Sequence, residues 1–570
     1  MKFSQMPYER PNTEQAVAAC NEIVSKIKTA SNAKEVLELH KEFTILVKKF
    51  STAWSICYVR HTVNTKDEFY DKENDFFDEV TPLFMKIGVD FYREMVNSKF
   101  RAELESELGK LWFINAELKT KGFDERIIAE KQKENTLSSK YSKLIASADL
   151  DFNGEKVTLA KLRAYQLSPD RSVREAAYKK RTEFFAANEK ELDDIYDELV
   201  RLRDEMARKL GYKNYVELGY INRGRNCYKP EDVKRFRDGV KSTLVPFLRE
   251  LHEQRRQDLD VEKLKFYDED IYFESGNPKP TGTPEEMFEA GKKMYAELST
   301  ETKDFFAFMM ENELFDVLAK EGKAGGGYCI DFPDYKVPFI FANFNGTSED
   351  VDVLTHECGH ALADYLSNDI EIYEYKDYTS DIAEIHSMGM EFFTADWMRS
   401  FFGKETERFL YMQLASALVF IPYGCMVDEF QHIVYENPGM TPAERKAAWL
   451  KLEAEYKPHL DYDDDPFFGK GGAWQRQMHI YELPFYYIDY CLAQTCAIQY
   501  RIWMESDRDA AWNSYIELTK KAGTLTFSDV VAQAGLKSPF EPECMESIVT
   551  GVSKLLTNLK VGASDKEACQ

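Results

Sequence analysis

Along most of the chain, apolar residues recur at three- and four-residue intervals, and Gly and Pro are sparse inside those runs. That period lays one side of an amphipathic helix against a core. Residues 33–49, 171–210 and 230–260 show it most clearly. Two stretches break it. Around 150–159 the runs LDF and EKVTL flank Asn153-Gly154, a pair favoured in tight hairpin turns because both residues tolerate positive φ. Between 265 and 345, FYDEDIYF, YCIDF and KVPFIFANF read as strands, with Pro333-Asp334 as a turn, so a small antiparallel sheet is expected. Helical texture resumes after Asp350. It is interrupted at Asn437-Pro438-Gly439 and at DYDDDPFFGKGG, residues 461–472. There the entropy of ordering Gly469, Gly471 and Gly472 predicts a mobile loop. The expected fold is mainly α with a small embedded sheet, divided into a helical N-terminal lobe over residues 1–210 and a second region over 211–570.

Composition narrows the partners. Hydrophobic residues make up 44% of the 570, enough to bury a large core. Asp and Glu total 99 against 74 Lys and Arg, a formal net charge of -25. A field of that sign repels nucleic acid and anionic membranes, so neither is expected as a partner. The opening residues MKFSQMPYERPNTEQ contain no apolar stretch of the kind a secretory signal carries. No uninterrupted apolar run reaches the roughly 18 residues of a membrane span. The ten cysteines are scattered without a CxxC pair, which fits a reducing compartment, and a cytoplasmic location is expected.

The candidate chemistry lies in DVDVLTHECGHALADYLS, residues 350–367. His356 and His360 are four apart, one turn along a helix striped by Leu354, Cys358, Ala361, Leu362 and Tyr365. They therefore share a face and can meet one Zn²⁺ at ~2.0–2.1 Å each. Glu357, one step round, reaches a water on such an ion rather than the ion itself. With nine histidines in the chain, HExxH is expected by chance on the order of 0.01 times. Gly359 adds weight: a mid-helix Gly costs about 1 kcal/mol relative to Ala, which a close-packed neighbour would explain. A catalytic zinc needs a third protein ligand. The HExxHxxGxxH continuation is absent, because Ala363 and Leu366 stand where its Gly and His would be. Glu384, in YTSDIAEIHSMGMEFF (378–393), is the alternative, with Ser380 or Asp381 as N-cap. Alone it reads as a capping-box carboxylate; beside the histidine pair it reads as a ligand. Glu391, about two turns on, is the candidate acceptor for a ligand imidazole N–H. His386 points elsewhere on this helix and reads as a packing or surface residue.

HECGHALADY, AEIHSMGMEFF and HIYELPFYYIDYCLAQ, in that order, resemble the M3 family of zinc oligopeptidases, a gluzincin family, and most of all its oligoendopeptidase F and Pz-peptidase branch. The likeness is strong over 326–500 and weak over most of the remainder. It implies a bilobed helical molecule with a deep channel whose floor holds zinc and admits only short unstructured peptides. The family's ligands fall on His356, His360 and Glu384, and its general base on Glu357. A histidine followed by two helix tyrosines serves the oxyanion in the family, and these fall on His479, Tyr487 and Tyr490. Pro484 suits the first turn of a helix, and Tyr487 and Tyr490, three apart, share a face. A phenol O–H aimed at the substrate carbonyl stabilises the oxyanion that forms as water adds. Tyr486 stays open as an alternative. Without the metal motif, the same run would read as an aromatic core stripe.

The activity expected is zinc-dependent endopeptidase cleavage of oligopeptides. A dipeptidyl carboxypeptidase would use the same chemistry and need a cation for the substrate C-terminus, with Arg476 and Lys470 as candidates. An inactive peptide-binding protein is the alternative outside the enzymes; against it, every catalytic position is present. KVPFIFANF, if it is an exposed edge strand, would pair with an extended peptide whatever its side chains; otherwise it is an ordinary sheet strand. Gly325-Gly326-Gly327 precedes a strand and lacks a following GK[ST], which excludes a phosphate loop.

Overall fold

A computed structural model describes residues 1–563 apart from 321, 345 and 346. Helix accounts for 73% of the structure, as the apolar period predicts. By contacts the chain divides into two units, each assembled from separated segments. One comprises Met1–Glu125, Lys279–Thr406 and Cys496–Leu536; the other comprises Arg126–Pro278, Glu407–Thr495 and the chain from Lys537 onward. This differs from the sequential division expected at residue 210, which lies inside the second unit. Periodicity shows which face of a helix is apolar, not which distant segment covers it.

In the first unit the helices Thr13–Thr29, Ala33–Val63, Glu68–Val96 and Lys110–Gly122 share a core in which the Phe43 and Phe91 rings stack at 3.9 Å. Tyr375 ties a later segment into it, donating to the Leu108 carbonyl at 2.7 Å and accepting from the Trp112 N–H at 3.2 Å. The strands β3 (Phe315–Leu318), β4 (Tyr328–Phe332) and β5 (Val337–Phe344) form a sheet in the order β3-β5-β4. β4 pairs with β5 antiparallel, as expected, but β3 pairs with β5 in parallel, so the sheet is mixed. β5, the KVPFIFANF strand, is flanked on both sides and almost wholly buried. A continuous apolar run is the signature of such an interior strand, so β5 is not the exposed edge considered above; β4 is an edge. The helix Ser348–Leu366, carrying the histidines, packs on β5, and the helix Ser380–Phe393, carrying Glu384, packs on it in turn. The N-cap of the latter is Thr379, where Ser380 or Asp381 was expected.

The second unit contains the predicted hairpin, β1 (Leu150–Phe152) with β2 (Glu155–Val157). Asn153 and Gly154 both take positive φ, 52° and 85°, as its turn requires. FYDEDIYF is not a strand. It makes a 3-10 turn, Phe266–Asp268, because the Asp268 carboxylate turns inward, accepting the Lys265 N–H at 3.0 Å and pairing with Arg171 and Arg174 at 2.7 and 2.8 Å. Residues 461–472 are packed rather than mobile. Phe467 and Phe468 are buried, and the Asp465 carboxylate accepts both their N–H groups at 3.0 and 2.7 Å. Gly471 sits at φ +87° against the Lys446 carbonyl, where a Cβ would overlap it, so the glycines here serve close approach and not freedom. One stretch, Arg399–Glu436, has the length and hydropathy of a membrane span, yet 61% of its most apolar window is buried, as in a core helix.

Arg203 anchors this second unit. It is fully buried, donating from Nε to Glu134 at 2.7 Å, from Nη1 to the Tyr435 hydroxyl at 2.8 Å, and from Nη2 to the Tyr481 carbonyl. Burial acts to raise the Glu134 pKa, but Lys131 and Arg203 outweigh it and hold the carboxyl down at about 2. Removing one member of such a network strands the others without partners. Arg203→Met is expected to cost about 3–5 kcal/mol, read as a lowered midpoint in urea unfolding. Because the folded pKa of Glu134 is depressed, its stabilisation is present above the ordinary carboxylate range and is lost as pH falls toward 2. Wild-type stability should fall over that window, and less steeply in the variant.

Candidate active site

Two helices of the first unit converge on one point. Glu384 Oε2 lies 3.3 Å from His356 Nε2 and 3.6 Å from His360 Nε2. The imidazole rings stand nearly perpendicular, 83° apart with centroids at 5.0 Å. All three donor atoms lie within 4.8 Å of one another. Ligands at ~2.0–2.1 Å from a tetrahedral zinc are about 3.3 Å apart, so the observed spacings fit such an ion. The close approach has a backbone cause. A Cβ on Gly359 would stand 2.6 Å from Ser387 Cα and 2.8 Å from the His386 carbonyl carbon. Only glycine lets the second helix come near enough to bring Glu384 to the histidines.

The surrounding groups orient this set. His356 Nδ1 lies 2.7 Å from Glu391 Oε1, so the ring donates there and keeps Nε2 for a ligand role. His360 hydrogen-bonds the Ala383 backbone. Ser387 donates to Glu384 Oε2 at 2.9 Å; that, and not a capping box, is the local partner of this carboxylate. Burial alone would lower His356, but the hydrogen bonds of Glu384 and Glu391 outweigh it and hold the imidazole well above its usual range. Burial pushes His360 down to about 4. Glu384, which burial would raise, is held at about 2 by His356 and His360. His386 is fully buried and belongs to the core: its carbonyl accepts from Tyr515 at 2.6 Å.

Glu357 is 7% exposed, and its Oε2 meets no hydrogen-bond partner among the described residues. Burial, with Glu384 and Glu391 adding and His356 opposing, raises it to about 7, where a carboxylate is poised to accept a proton at neutral pH. The start of β4 passes beside it, since a Cβ on Gly327 would lie 3.6 Å from Glu357 Oε1.

The other predicted residues form their own cluster, in the second unit. His479 lies in the short helix Met478–Glu482, and Tyr487 begins the long helix that starts after the turn at 483–486. Pro484 is in that turn and not in the helix's first turn, because Phe485 takes φ 63°. Arg225 and Gln431 bind the Phe485 carbonyl and N–H, and Arg225 also pairs with buried Asp489 at 2.8 Å. These contacts hold a conformation that costs of order 1–3 kcal/mol. The His479 ring has Tyr487 at 4.9 Å, Tyr486 at 5.7 Å and Tyr490 at 5.9 Å. The Tyr486 face is covered by the Arg223 guanidinium at 4.6 Å.

Gln477 was missed. Its Oε1 accepts from the Tyr423 hydroxyl at 2.7 Å, which turns its Nε2 toward His479 Nδ1 at 2.8 Å. With Nδ1 accepting, the His479 proton sits on Nε2, making that nitrogen a donor. A glutamine two residues before a histidine is no motif, and only packing against Tyr423 gives it this role.

A His-His-Glu set with half-buried histidines and a buried carboxylate, beside a glutamate without a hydrogen-bond partner among the described residues, is a candidate metal centre of the HExxH type. The chain belongs to peptidase family M3: residues 164–550 match that family, and residues 3–123 match the peptidase M3 N-terminal domain. It is similar to oligopeptidase PepF of Bacillus subtilis strain 168, 22% identical, covering 94% of this chain and 83% of the relative. An oligoendopeptidase F homolog of Lactococcus lactis subsp. lactis strain IL1403 is 23% identical, covering 83% and 82%. The solved structure of Pz peptidase A with inhibitor 2 is 49% identical, covering 98% of this chain and 99% of its own, with a TM-score of 0.94.

The purified protein is expected to carry one zinc per chain by elemental analysis, and His356→Ala, His360→Ala and Glu384→Ala each to lose it. Full occupancy in Glu384→Ala would remove that residue from the ligand set. Glu391→Gln should weaken zinc affinity about 10–100-fold in a chelator competition. Gly359→Ala should lose zinc although it alters no ligand.

Proposed function

We propose that this protein is a zinc endopeptidase that hydrolyses short, unstructured oligopeptides in the cytoplasm. The observation that carries the reading is Glu357, a buried carboxylate without a hydrogen-bond partner among the described residues, beside a His-His-Glu set, in a chain of peptidase family M3. The names of its relatives, oligopeptidase and oligoendopeptidase, support the substrate class. The net charge of -25 disfavours nucleic acid as a partner.

His356, His360 and Glu384 would hold the zinc, which when bound supplies a Lewis acid that acidifies water and polarises a carbonyl. Glu357 takes the proton of the attacking water and passes it to the departing amine nitrogen, so the peptide C–N bond breaks with protons balanced. As the carbonyl oxygen gains charge, the Tyr490 hydroxyl and the His479 Nε2–H donate to it. Tyr487 lies beside them and makes the lesser contribution; burial keeps its phenol well above the usual range and therefore protonated. A deep channel would restrict access to unfolded peptides.

Glu357→Gln should retain zinc and lose most of kcat on an internally quenched peptide; near wild-type turnover would disprove its role as base. Tyr490→Phe should lower kcat and kcat/KM alike by about 10²–10³, with His479→Ala similar, Tyr487→Phe milder and Tyr486→Phe milder still. A crippled Tyr486→Phe beside a normal Tyr490→Phe would reverse the assignment. Short peptides and denatured casein should be cut while a folded protein survives; rapid degradation of the folded protein would exclude this substrate class.

A further inference from the structure

The helices Tyr215–Asn222 and Pro230–Gly239 are joined by a segment whose side chains close on the start of the tyrosine helix. Arg225 is buried, and its Nη2 donates both to the Phe485 carbonyl and to Asp489 Oδ1, the latter at 2.8 Å. Its guanidinium lies 4.1 Å from the centre of the Tyr220 ring. Tyr228 donates to the same Asp489 oxygen at 3.4 Å. Arg223 covers Tyr486, and between the two arginines Gly224 takes φ 69°, a region open to glycine. The first of these helices also supplies the seat of Phe485. A Cβ on Gly219 would stand 2.5 Å from Phe485 Cδ2 and 2.8 Å from Cε2, so the ring rests on bare backbone. His432, Tyr435 and Tyr220 surround it, with centroids at 5.0, 5.4 and 5.5 Å.

Stability does not account for this arrangement. Arg225 Nε and Nη1 are buried without an acceptor among the described residues, and a buried donor left unpaired costs about 1–3 kcal/mol. Phe485 adds its positive φ, and Gly219 adds the roughly 1 kcal/mol of a mid-helix glycine. Local costs of this kind collect where a site demands a fixed geometry. What they fix here is rotation. The first N–H groups of a helix have no intrahelical acceptor, so the first turn is oriented from outside. Asp489 stands about 160° round the helix from Tyr487 and about 100° from Tyr490. Arg225 therefore grips the turn from behind, and through the Phe485 carbonyl it grips the chain just before it. A phenol oxygen lies roughly 8 Å from the helix axis, so a twist of about 10° moves it by over 1 Å. Misplacement on that scale can cost on the order of 10²-fold in rate.

We infer that Arg225 is a positioning residue for the tyrosines that serve the oxyanion, and that Phe485 seated on Gly219 is the second point of the same clamp. Neither touches substrate; both act through the direction in which Tyr487 and Tyr490 project. The inference rests on the peptidase reading and on the role given there to Tyr490. It accounts for a buried arginine that leaves two of its nitrogens unpaired: one nitrogen, joining the turn to the helix, is the contact the site requires.

A double-mutant cycle on the zinc-loaded protein tests this, with Gly219→Ala and Arg225→Met each made in wild type and in Tyr490→Phe. In wild type each should lower kcat on an internally quenched peptide by about 10–10²-fold, with KM within about twofold and zinc retained, since the donor set lies in the other unit. In Tyr490→Phe, where the hydroxyl is already gone, each should cost less than about threefold. Losses by the same factor in both backgrounds would mean additive, merely structural effects and would overturn the inference, as would wild-type kcat in folded Gly219→Ala. Arg225→Lys, which keeps a charge for Asp489, should recover part of the rate if Arg225→Met does not fold; a Lys variant that folds with the same loss in both backgrounds also counts against the clamp. A crystal structure of Gly219→Ala supplies a readout apart from activity. The Tyr490 hydroxyl should move by about 1 Å or more relative to His479, and an unmoved hydroxyl would overturn the inference. Should Tyr490→Phe turn over like wild type, the oxyanion assignment fails, and that displacement alone decides whether Arg225 and Phe485 position the ring.

Discussion

The contact between Gly359 and the backbone of His386 and Ser387 is the constraint on which the candidate centre depends. Three donor atoms within 4.8 Å of one another, with Glu384 Oε2 at 3.3 and 3.6 Å from the two imidazole nitrogens, cannot be set by side-chain reach alone when they come from two helices. The helices must lie closer than an alanine would allow. Glycine at that point gives up about 1 kcal/mol of helix propensity to obtain a distance. The remainder of the first unit holds that crossing in place: β5 beneath the first helix, Tyr515 on the second, and Tyr375 joining the intervening segment to the N-terminal core.

Local electrostatics then separates residues of one chemical kind into different roles. Glu384 is held ionised by two histidines, Glu391 is occupied by His356 Nδ1, and Glu357, buried and without a partner, is left near neutrality. A bound cation would draw Glu357 down, as any nearby positive charge favours a carboxylate. In the second unit the same ordering is done by hydrogen bonds. Tyr423 and Gln477 fix one tautomer of His479, and Arg225 with Gln431 holds the turn from which the tyrosines start.

What could be read from the sequence was what lies within one helical turn or one hairpin. His356, Glu357 and His360 were legible because their spacing is a property of the helix itself, and Asn153-Gly154 because a turn is local. Glu384 and Glu391 could be placed once the histidines fixed which face mattered. The misreadings share a cause. FYDEDIYF alternates like a strand, but Asp268 has buried arginine partners far along the chain. Gly471 looks like freedom until the Lys446 carbonyl is seen against it. β5 was recognisable as a strand, yet its place between two others depends on Phe315–Leu318, a run too short to announce itself. Gln477 carried no signal, since its orientation is set by Tyr423, 54 residues earlier in the chain.

The interleaving of the two units also dictates the order in which the protein can be made. Each unit closes only with a segment that leaves the ribosome late. Tyr515 reaches the His386 carbonyl across 129 residues, which at about 5–20 residues per second is roughly 6–26 s of further synthesis. Throughout that interval one side of the Glu384 helix, lined with Met and Phe, has nothing to cover it. A nascent chain in that condition needs either a chaperone or slow release from collapsed intermediates, and contacts of such long range fold slowly in any case. The arrangement that lets the two parts share one polypeptide therefore defers a complete candidate centre until the segment carrying Tyr515 has been made.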